Sequence, residues 1–324
     1  MSENRMFDVI KQDLAVLEEE MLSVVQSPVE LITEIGTHLV KSGGKRLRPA
    51  LYFLATRCGK DFNHKGVMPL AVALEMIHMA SLVHDDVIDS ADTRRGTSTA
   101  NSKWGNQISI LSGDYLFARA FSLVSSNHYD ERITNRLSEL VCDLSAGELI
   151  QNKEIYKASR DVNEYYDRIA KKTANFLAIC CETGGVVAGL SVKEIEALYA
   201  YGHAIGMAFQ ITDDLLDLTS STQKIGKPAG NDILQGIVTL PVIRALETSP
   251  YAAELEGIVT DQNMTQEMLE RAINIVKEAD GIVFAQTKVN EYIYMAQSVL
   301  PLSLPEEIRE AYHMAADYIS SREF

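Results

Sequence analysis

Cysteine is sparse and unpatterned. Cys58, Cys142, Cys180 and Cys181 are the only four in 324 residues, and none forms a C-x-x-C pair. That excludes a disulfide framework and the usual zinc spacings. It leaves the reading of a reduced, cytoplasmic protein whose cysteines are small core residues. Positive charge is also short. Thirty Lys and Arg stand against 45 Asp and Glu, a formal net charge of −15. A nucleic-acid partner would call for a basic face, so none is expected. Early charges at Asp8, Lys11 and Asp13 leave no room for a signal-peptide apolar region. No apolar run approaches ~18 residues, so no transmembrane helix is expected. There is no run of alternating β-branched residues to suggest a strand, and no Ser-His-Asp or Cys-His pattern to suggest a protein nucleophile.

What fills the chain is helix. Nearly half the residues (46%) are hydrophobic, enough for a large core, and only 8 prolines and 19 glycines punctuate them, mostly at breaks. Helical periodicity runs over 4–25, 29–41, 48–58, 67–91, 104–126, 130–153, 162–188, 192–219, 234–247, 252–258, 265–278, 280–298 and 304–321. Stretches such as 176–188 are apolar round most of their circumference, the mark of a helix buried by others. No linker or low-complexity segment divides 1–324, so the chain is read as one all-α domain.

Two acidic clusters stand inside these apolar helices, Asp85-Asp86-x-x-Asp89 and Asp213-Asp214-x-x-Asp217. Residues three and four apart share a helix face, so each cluster projects a compact carboxylate patch. Crowded carboxylates against apolar neighbours need a cation or raised pKa values to relieve their repulsion. An oxygen-only ligand set points to Mg²⁺ or Mn²⁺. Basic and polar partners are placed as an anion site would need. Gly43-Gly44-Lys45-Arg46-Leu47-Arg48-Pro49 combines a flexible turn with three cations at a helix N-terminus, which suits a phosphate or diphosphate, although a solvated turn has the same composition. Arg94-Arg95-Gly96 follows the first cluster closely, as salt-bridge partners or as a phosphate clamp. His78 lies two turns before Asp85, Lys171-Lys172-Thr173 interrupts an apolar helix, and Gln210 sits one turn before Asp214.

In this order these features resemble the trans-type isoprenyl diphosphate synthases, from about residue 30 onward, with the helix of about 1–28 outside the likeness. The markers are Gly44-Lys45-Arg46-x-Arg48-Pro49, both Asp-rich clusters, Arg94-Arg95-Gly96, Lys172-Thr173, Phe209-Gln210 and Gly226-Lys227-Pro228. The run His78-Met79-Ala80-Ser81-Leu82-Val83-His84 and the stretch Leu234-Gln235-Gly236 resemble, more narrowly, the catalytic large subunits of two-component bacterial heptaprenyl diphosphate synthases. The resemblance implies a helical bundle in which the two acidic clusters face each other across a deep cavity. It implies that Asp85, Asp89 and Asp213 hold Mg²⁺ ions on an allylic diphosphate, supported by Asp86, Asp214 and Asp217. Arg94, Lys172 and Lys227 would neutralise that diphosphate. Lys45, Arg46, Arg48, His78 and Arg95 would form the site for isopentenyl diphosphate. Thr173 and Gln210 would turn oxygens toward the developing carbocation. Ile237 stands where many relatives carry a lysine shortly before Thr239-Leu240-Pro241.

The implied reaction ionises an allylic diphosphate, farnesyl diphosphate in the narrower reading, and adds isopentenyl diphosphate to the cation. Product length then depends on residues below the first cluster, here the small Ala80 and Ser81. The implied partners are a small regulatory subunit or a second copy of the chain, with transient membrane contact as the lipid product leaves. The rival readings are a self-sufficient homodimeric synthase making a geranylgeranyl, hexaprenyl or octaprenyl product, a class I terpene cyclase, and a non-catalytic helical subunit.

Overall fold

Apolar residues at helical spacing condense into helices along almost the whole chain. The computed structural model describes residues 7–60, 62–219 and 229–321. After a short 3-10 turn come α1 (Lys11–Val24), α2 (Glu30–Lys41), α3 (Leu47–Thr56) and α4 (His64–Ile88). A hairpin of β1 (Thr93–Arg94) and β2 (Thr97–Ser98) leads into α5 (Ala100–Trp104), α6 (Asn106–Ser126) and α7 (Glu131–Glu154). Then follow α8 (Val162–Ile169), a π-helical turn (Ala170–Ala174), α9 (Asn175–Val187) and α10 (Val192–Thr219). The described remainder is α11 (Asn231–Leu234), α12 (Leu240–Thr248), α13 (Ala252–Val259), α14 (Gln266–Glu278), α15 (Gly281–Val299) and α16 (Glu306–Ser320).

These helices pack into two compact units. The first comprises Met1–Val141, Ile179–Leu198 and Pro301–Tyr312. Its centre is α4, packed chiefly along α6. The face that makes α4 a core helix includes Leu70, Leu74, Met76, Ile77, Ala80 and Val83, all buried. Each large side chain removed from water there stabilises the unit by roughly 1.5–3 kcal/mol. By length and composition α4 is apolar enough to cross a membrane, which amends the sequence expectation that no segment is; 78% of its apolar window is buried inside the fold, as befits a core helix. Pro69 lies inside α4 and deprives the helix of one N–H. One turn of the backbone ladder opens beside it. The Tyr129 hydroxyl enters that gap, donating to the Gly66 carbonyl at 2.7 Å and accepting from the Leu70 N–H at 3.2 Å. Burial pushes the Tyr129 phenol up to about 12, so it keeps the proton it donates.

The second unit comprises Cys142–Ala178, Tyr199–Leu300 and His313–Phe324. Here α12 packs on α13, α14 and α15. Gly202 and Gly206 on α10 let that helix approach the chain at 174–178 closely. A Cβ on Gly202 would stand 2.6 Å from the Leu177 carbonyl oxygen, and one on Gly206 would stand 2.5 Å from the Ala174 Cα. This approach brings the π turn within reach of the α10 residues before the second acidic cluster.

Three expectations need correction. The chain does carry strands, the two-residue pair Thr93↔Ser98 and Arg94↔Thr97. They are closed by Arg95 and Gly96, both at positive φ (53° and 75°), as a tight two-residue hairpin turn requires. The span 162–188 is not one regular helix, because the π turn interrupts it at Ala170–Ala174. The span 234–247 is two elements: α11 stops at Leu234, and α12 starts only at Leu240, with Pro241 in its first turn where a missing N–H does no harm.

Candidate active site

The first acidic cluster occupies the last turn of α4, with Asp89 as its C-cap. Asp86 is buried and turned toward the hairpin, where it accepts from Arg94 Nε at 2.7 Å. Asp85 is half-buried and Asp89 exposed, one turn apart on the same face. The carboxylates therefore sit at the negative end of the α4 dipole, which adds to their mutual repulsion. The hairpin that carries Arg94 is tied down through the Ala91 carbonyl, which accepts from Thr99 Oγ1 at 2.7 Å and Asn101 Nδ2 at 2.9 Å.

The basic residues of the first unit gather around His78. Arg95, at the hairpin tip, reaches across to donate to the Gly43 carbonyl through Nη1. Gly44 lies under the same guanidinium, and a Cβ there would collide with Nη1. Arg48 Nη1 lies 3.1 Å from His78 Nε2. A guanidinium only donates, so Nε2 is the acceptor and the imidazole proton is on Nδ1. Burial, followed by the charges of Arg48, Arg95, Arg94 and Arg46, pushes His78 well below its ordinary value; it is a neutral ring at pH 7. Lys45 is exposed beside this group. Arg46 differs from its neighbours. It is buried in left-handed backbone (φ 49°), and its guanidinium donates to Glu18, to Glu75 at 2.7 Å and to the Val40 carbonyl at 3.0 Å. Its carboxylate partners are thus the buried Glu75 and the more exposed Glu18, and they tie down the turn between Lys45 and Arg48. A pocket with about 520 Å³ of space open to solvent is lined by His78, Arg94, Arg95, Asp86, Glu75 and Arg46, among others.

In the second unit the acidic cluster lies near the end of α10. Asp214 is buried, like Asp86 in the first cluster, while Asp213 and Asp217 are only partly covered. Both Asp214 oxygens have protein donors: the Tyr165 hydroxyl at 2.6 Å and Gln210 Nε2 at 3.0 Å. Burial pushes the Asp214 carboxyl up to about 6; the hydrogen bonds from Tyr165 and Gln210 oppose that rise, and the neighbouring Asp213 charge adds to it. Asp217 Oδ2 accepts the Asp232 backbone N–H at 3.0 Å and so anchors the start of α11. The π turn presents Lys172 and Thr173. Lys172 Nζ lies 2.5 Å from Glu148 Oε2 and 3.0 Å from Gln151 Oε1 on α7, its stem passing over Gly147. Thr173 Oγ1 donates to Gln210 Oε1 at 2.8 Å. Ile237 is half-buried, and its N–H is held by the Asp232 carbonyl at 2.8 Å. One residue on, Arg168 Nη2 donates to the Val238 carbonyl at 2.8 Å while Nη1 pairs with Glu154. Lys227, with Gly226 and Pro228, lies outside the described residues.

Among the described residues no three His, Cys, Asp or Glu side chains converge on a common metal position. Asp85 and Asp89 offer two carboxylates on one helix face, which fits Mg²⁺, an ion that takes one or two protein carboxylates and completes its shell with phosphate and water. Ala80 is fully buried in α4, and the half-buried Ser81 donates its hydroxyl to the His78 carbonyl at 2.9 Å. Sequence reasoning missed Tyr165, Arg168, Glu75, Glu148 and Gln151. Glu75 could have been flagged as a charge on an apolar helix, but its partner Arg46 lies 29 residues away; Tyr165 sits on the polar helix α8, and its partner Asp214 lies 49 residues away.

Comparison with known proteins gives this arrangement a context. The sequence profile of the family described as polyprenyl synthetase matches residues 29–276. Heptaprenyl diphosphate synthase component 2 of Geobacillus stearothermophilus is 38% identical over 319 residues, covering 98% of each chain. Octaprenyl diphosphate synthase of Escherichia coli is 30% identical over 96% of each chain. The crystal structure of polyprenyl synthase from Caulobacter crescentus, complexed with calcium and isoprenyl diphosphate, superposes with a TM-score of 0.92 at 33% identity, covering 99% of this chain and 98% of that one. The chain therefore belongs to the polyprenyl synthetase family and is a prenyltransferase, a trans-polyprenyl diphosphate synthase with the all-α isoprenoid synthase fold.

Proposed function

We propose that the chain is the catalytic component of a heptaprenyl diphosphate synthase, extending farnesyl diphosphate with isopentenyl diphosphate in the cytoplasm, together with a small partner subunit. The observation that carries this reading is its likeness, end to end and at 38% identity, to a protein named as component 2 of such an enzyme. The small side chains of Ala80 and Ser81 support a long product, since neither would plug a tunnel below the first cluster. Family membership sets aside the cyclase and the non-catalytic subunit.

In this reading Asp85, Asp89 and Asp213 hold divalent ions, Mg²⁺ or Mn²⁺ by the oxygen donor set. Such ions supply the Lewis-acid charge that a departing diphosphate needs. Asp86, Asp214 and Asp217 are supporting residues whose own partners fix the cluster ends. Lys45, Arg48, His78 and Arg95 bind the diphosphate of isopentenyl diphosphate. The neutral His78 serves there as a hydrogen-bonding group, and Arg46 holds the turn. Arg94, Lys172 and Lys227 bind the allylic diphosphate. Lys172 exchanges Glu148 for a phosphate oxygen when that substrate arrives. The allylic C–O bond breaks, a C–C bond forms to the isopentenyl double bond, and the proton lost from the adduct goes to the departed diphosphate. The chain's part is to bind, to orient and to exclude water. Product release involves transient contact with a membrane surface.

The test is incubation of the purified chain with farnesyl and isopentenyl diphosphates and Mg²⁺, with and without a candidate small subunit, and sizing of the products by chromatography. A seven-unit product that needs the second subunit is expected. Robust long-chain synthesis by the chain alone would select the self-sufficient homodimer instead. Ala80→Phe should shorten the product by at least one five-carbon unit; an unchanged length distribution would remove Ala80 from the tunnel.

A further inference from the structure

The polarity of one buried hydrogen-bond chain in the second unit follows from Asp214. An ionised carboxylate only accepts. Tyr165 must therefore donate to Oδ2 (2.6 Å), and Gln210 must turn its NH₂ toward Oδ1 (3.0 Å). The opposite amide flip would set a carbonyl oxygen against a carboxylate oxygen, so the network decides an orientation that geometry alone leaves ambiguous. Gln210 Oε1 then faces Thr173, whose hydroxyl must donate to it (2.8 Å). With its proton committed there, the Thr173 oxygen has only lone pairs to show to any other partner. Tyr165 is fully buried, Thr173 nearly so and Gln210 half-buried, so water is kept from the Tyr165–Asp214 link, and burial with the nearby Asp214 charge keeps the Tyr165 phenol protonated.

We propose that Tyr165 is a positioning residue for the ionisation step: its hydroxyl fixes Asp214, which through Gln210 fixes the Thr173 hydroxyl so that lone pairs, not a proton, face the developing allylic cation. The inference rests on the function proposed above and divides the role that the family resemblance gives Thr173 and Gln210 jointly. Gln210 is an orienting link whose oxygen is already engaged by Thr173, and Thr173 is the residue that presents an acceptor. Without the Tyr165 hydroxyl, Asp214 Oδ2 loses its donor and the carboxylate can swing out of register with Gln210, so the amide and hydroxyl lose the fixed acceptor that directs them. A hydroxyl dipole turned the wrong way would oppose the cation it should stabilise.

The experiment is a double-mutant cycle between Tyr165→Phe and Thr173→Val, read as kcat and KM for both diphosphates on the enzyme as it functions, with its small subunit if one is required. Tyr165→Phe should lower kcat about 10- to 100-fold, in the range of misplaced catalytic groups, with both KM values held within about twofold. In the Thr173→Val background it should cause almost no further loss, because the chain it directs no longer ends in a hydroxyl. Losses that multiply in full, or a rise in KM at constant kcat, would overturn the proposal, since a purely structural tyrosine acts independently of the Thr173 hydroxyl. If the Phe variant is recovered unfolded, Gln210→Leu cuts the same chain one link further on, and its loss too should vanish in the Thr173→Val background; multiplicative losses there overturn the proposal equally. A wild-type enzyme that condenses no allylic diphosphate would overturn the parent function instead, a result distinct from any outcome of the cycle.

Discussion

Four arginines around one imidazole make a histidine that resists protonation. The His78 ring is held below its ordinary 6.5, first by burial and then by the charges of Arg48, Arg95, Arg94 and Arg46. Below pH 6.5 the unfolded chain thus binds more protons at this residue than the folded one, and stability rises with pH. The contribution is complete above about pH 6.5 and is lost as acid is added through that value toward the lower folded-state value. His78→Gln keeps a polar partner for Arg48 but cannot titrate. Thermal melts from pH 7.5 down to 5 should show a shallower fall in Tm for the variant than for the wild type, and parallel curves would show that His78 does not govern this window. The same residue-level logic separates the members of each acidic cluster. Asp86 and Asp214 are the buried members, each bonded by a specific donor, and Asp85, Asp89, Asp213 and Asp217 are the more exposed ones; in the proposed function these four are the groups a cation meets first.

Helix α4 joins the arginine-rich end of the first unit to its core, and its weakest turn is repaired from outside. Pro69 opens the backbone ladder, and the Tyr129 hydroxyl closes it by bonding to Gly66 and Leu70 at once. Tyr129→Phe would leave a part-buried carbonyl and N–H facing each other unbridged. That should destabilise the protein by about 1–3 kcal/mol, measured as a lower urea midpoint with little change in slope. An unaltered midpoint would mean that water replaces the hydroxyl at no cost. In the second unit the comparable irregularity is the π turn at Ala170–Ala174. Such turns shift the register of the residues they carry and are frequent at functional sites, and this one bears Lys172 and Thr173.

For the whole molecule, the opposition between a −15 chain and polyanionic substrates makes metal the natural mediator. Mg²⁺ with inorganic pyrophosphate should raise Tm, by an amount equivalent to about 2.7 kcal/mol at a hundredfold excess over Kd. Asp89→Asn removes one charge from a helix C-terminus that disfavours it. The metal-free variant should melt slightly higher than wild type, lose most of the Mg²⁺-pyrophosphate shift, and lose activity by at least about a hundredfold. A shift retained in full would remove Asp89 from the metal site. The helices and both acidic clusters were legible in the sequence because periodicity and i, i+4 spacing are local properties. The hairpin was not, because a turn built on Arg95 lacks the Asn-Gly signal and its strands span two residues each. Nor were Tyr165, Arg168 and the carboxylate partners of Arg46, because hydrogen bonds between residues 28 to 70 positions apart leave no mark in local spacing. Lys172 was legible as a cation, but not its resting place on Glu148.

The hairpin tip carries a further implication for protein engineering. Arg95 adopts a backbone shape (φ 53°) that glycine or asparagine tolerates more readily than a long side chain does. A library screened for heat resistance alone would drift toward those residues at position 95, discarding the guanidinium as it relaxed the turn. Screening the same library for prenyl transfer would hold the arginine in place, so the two selections should diverge first at this codon.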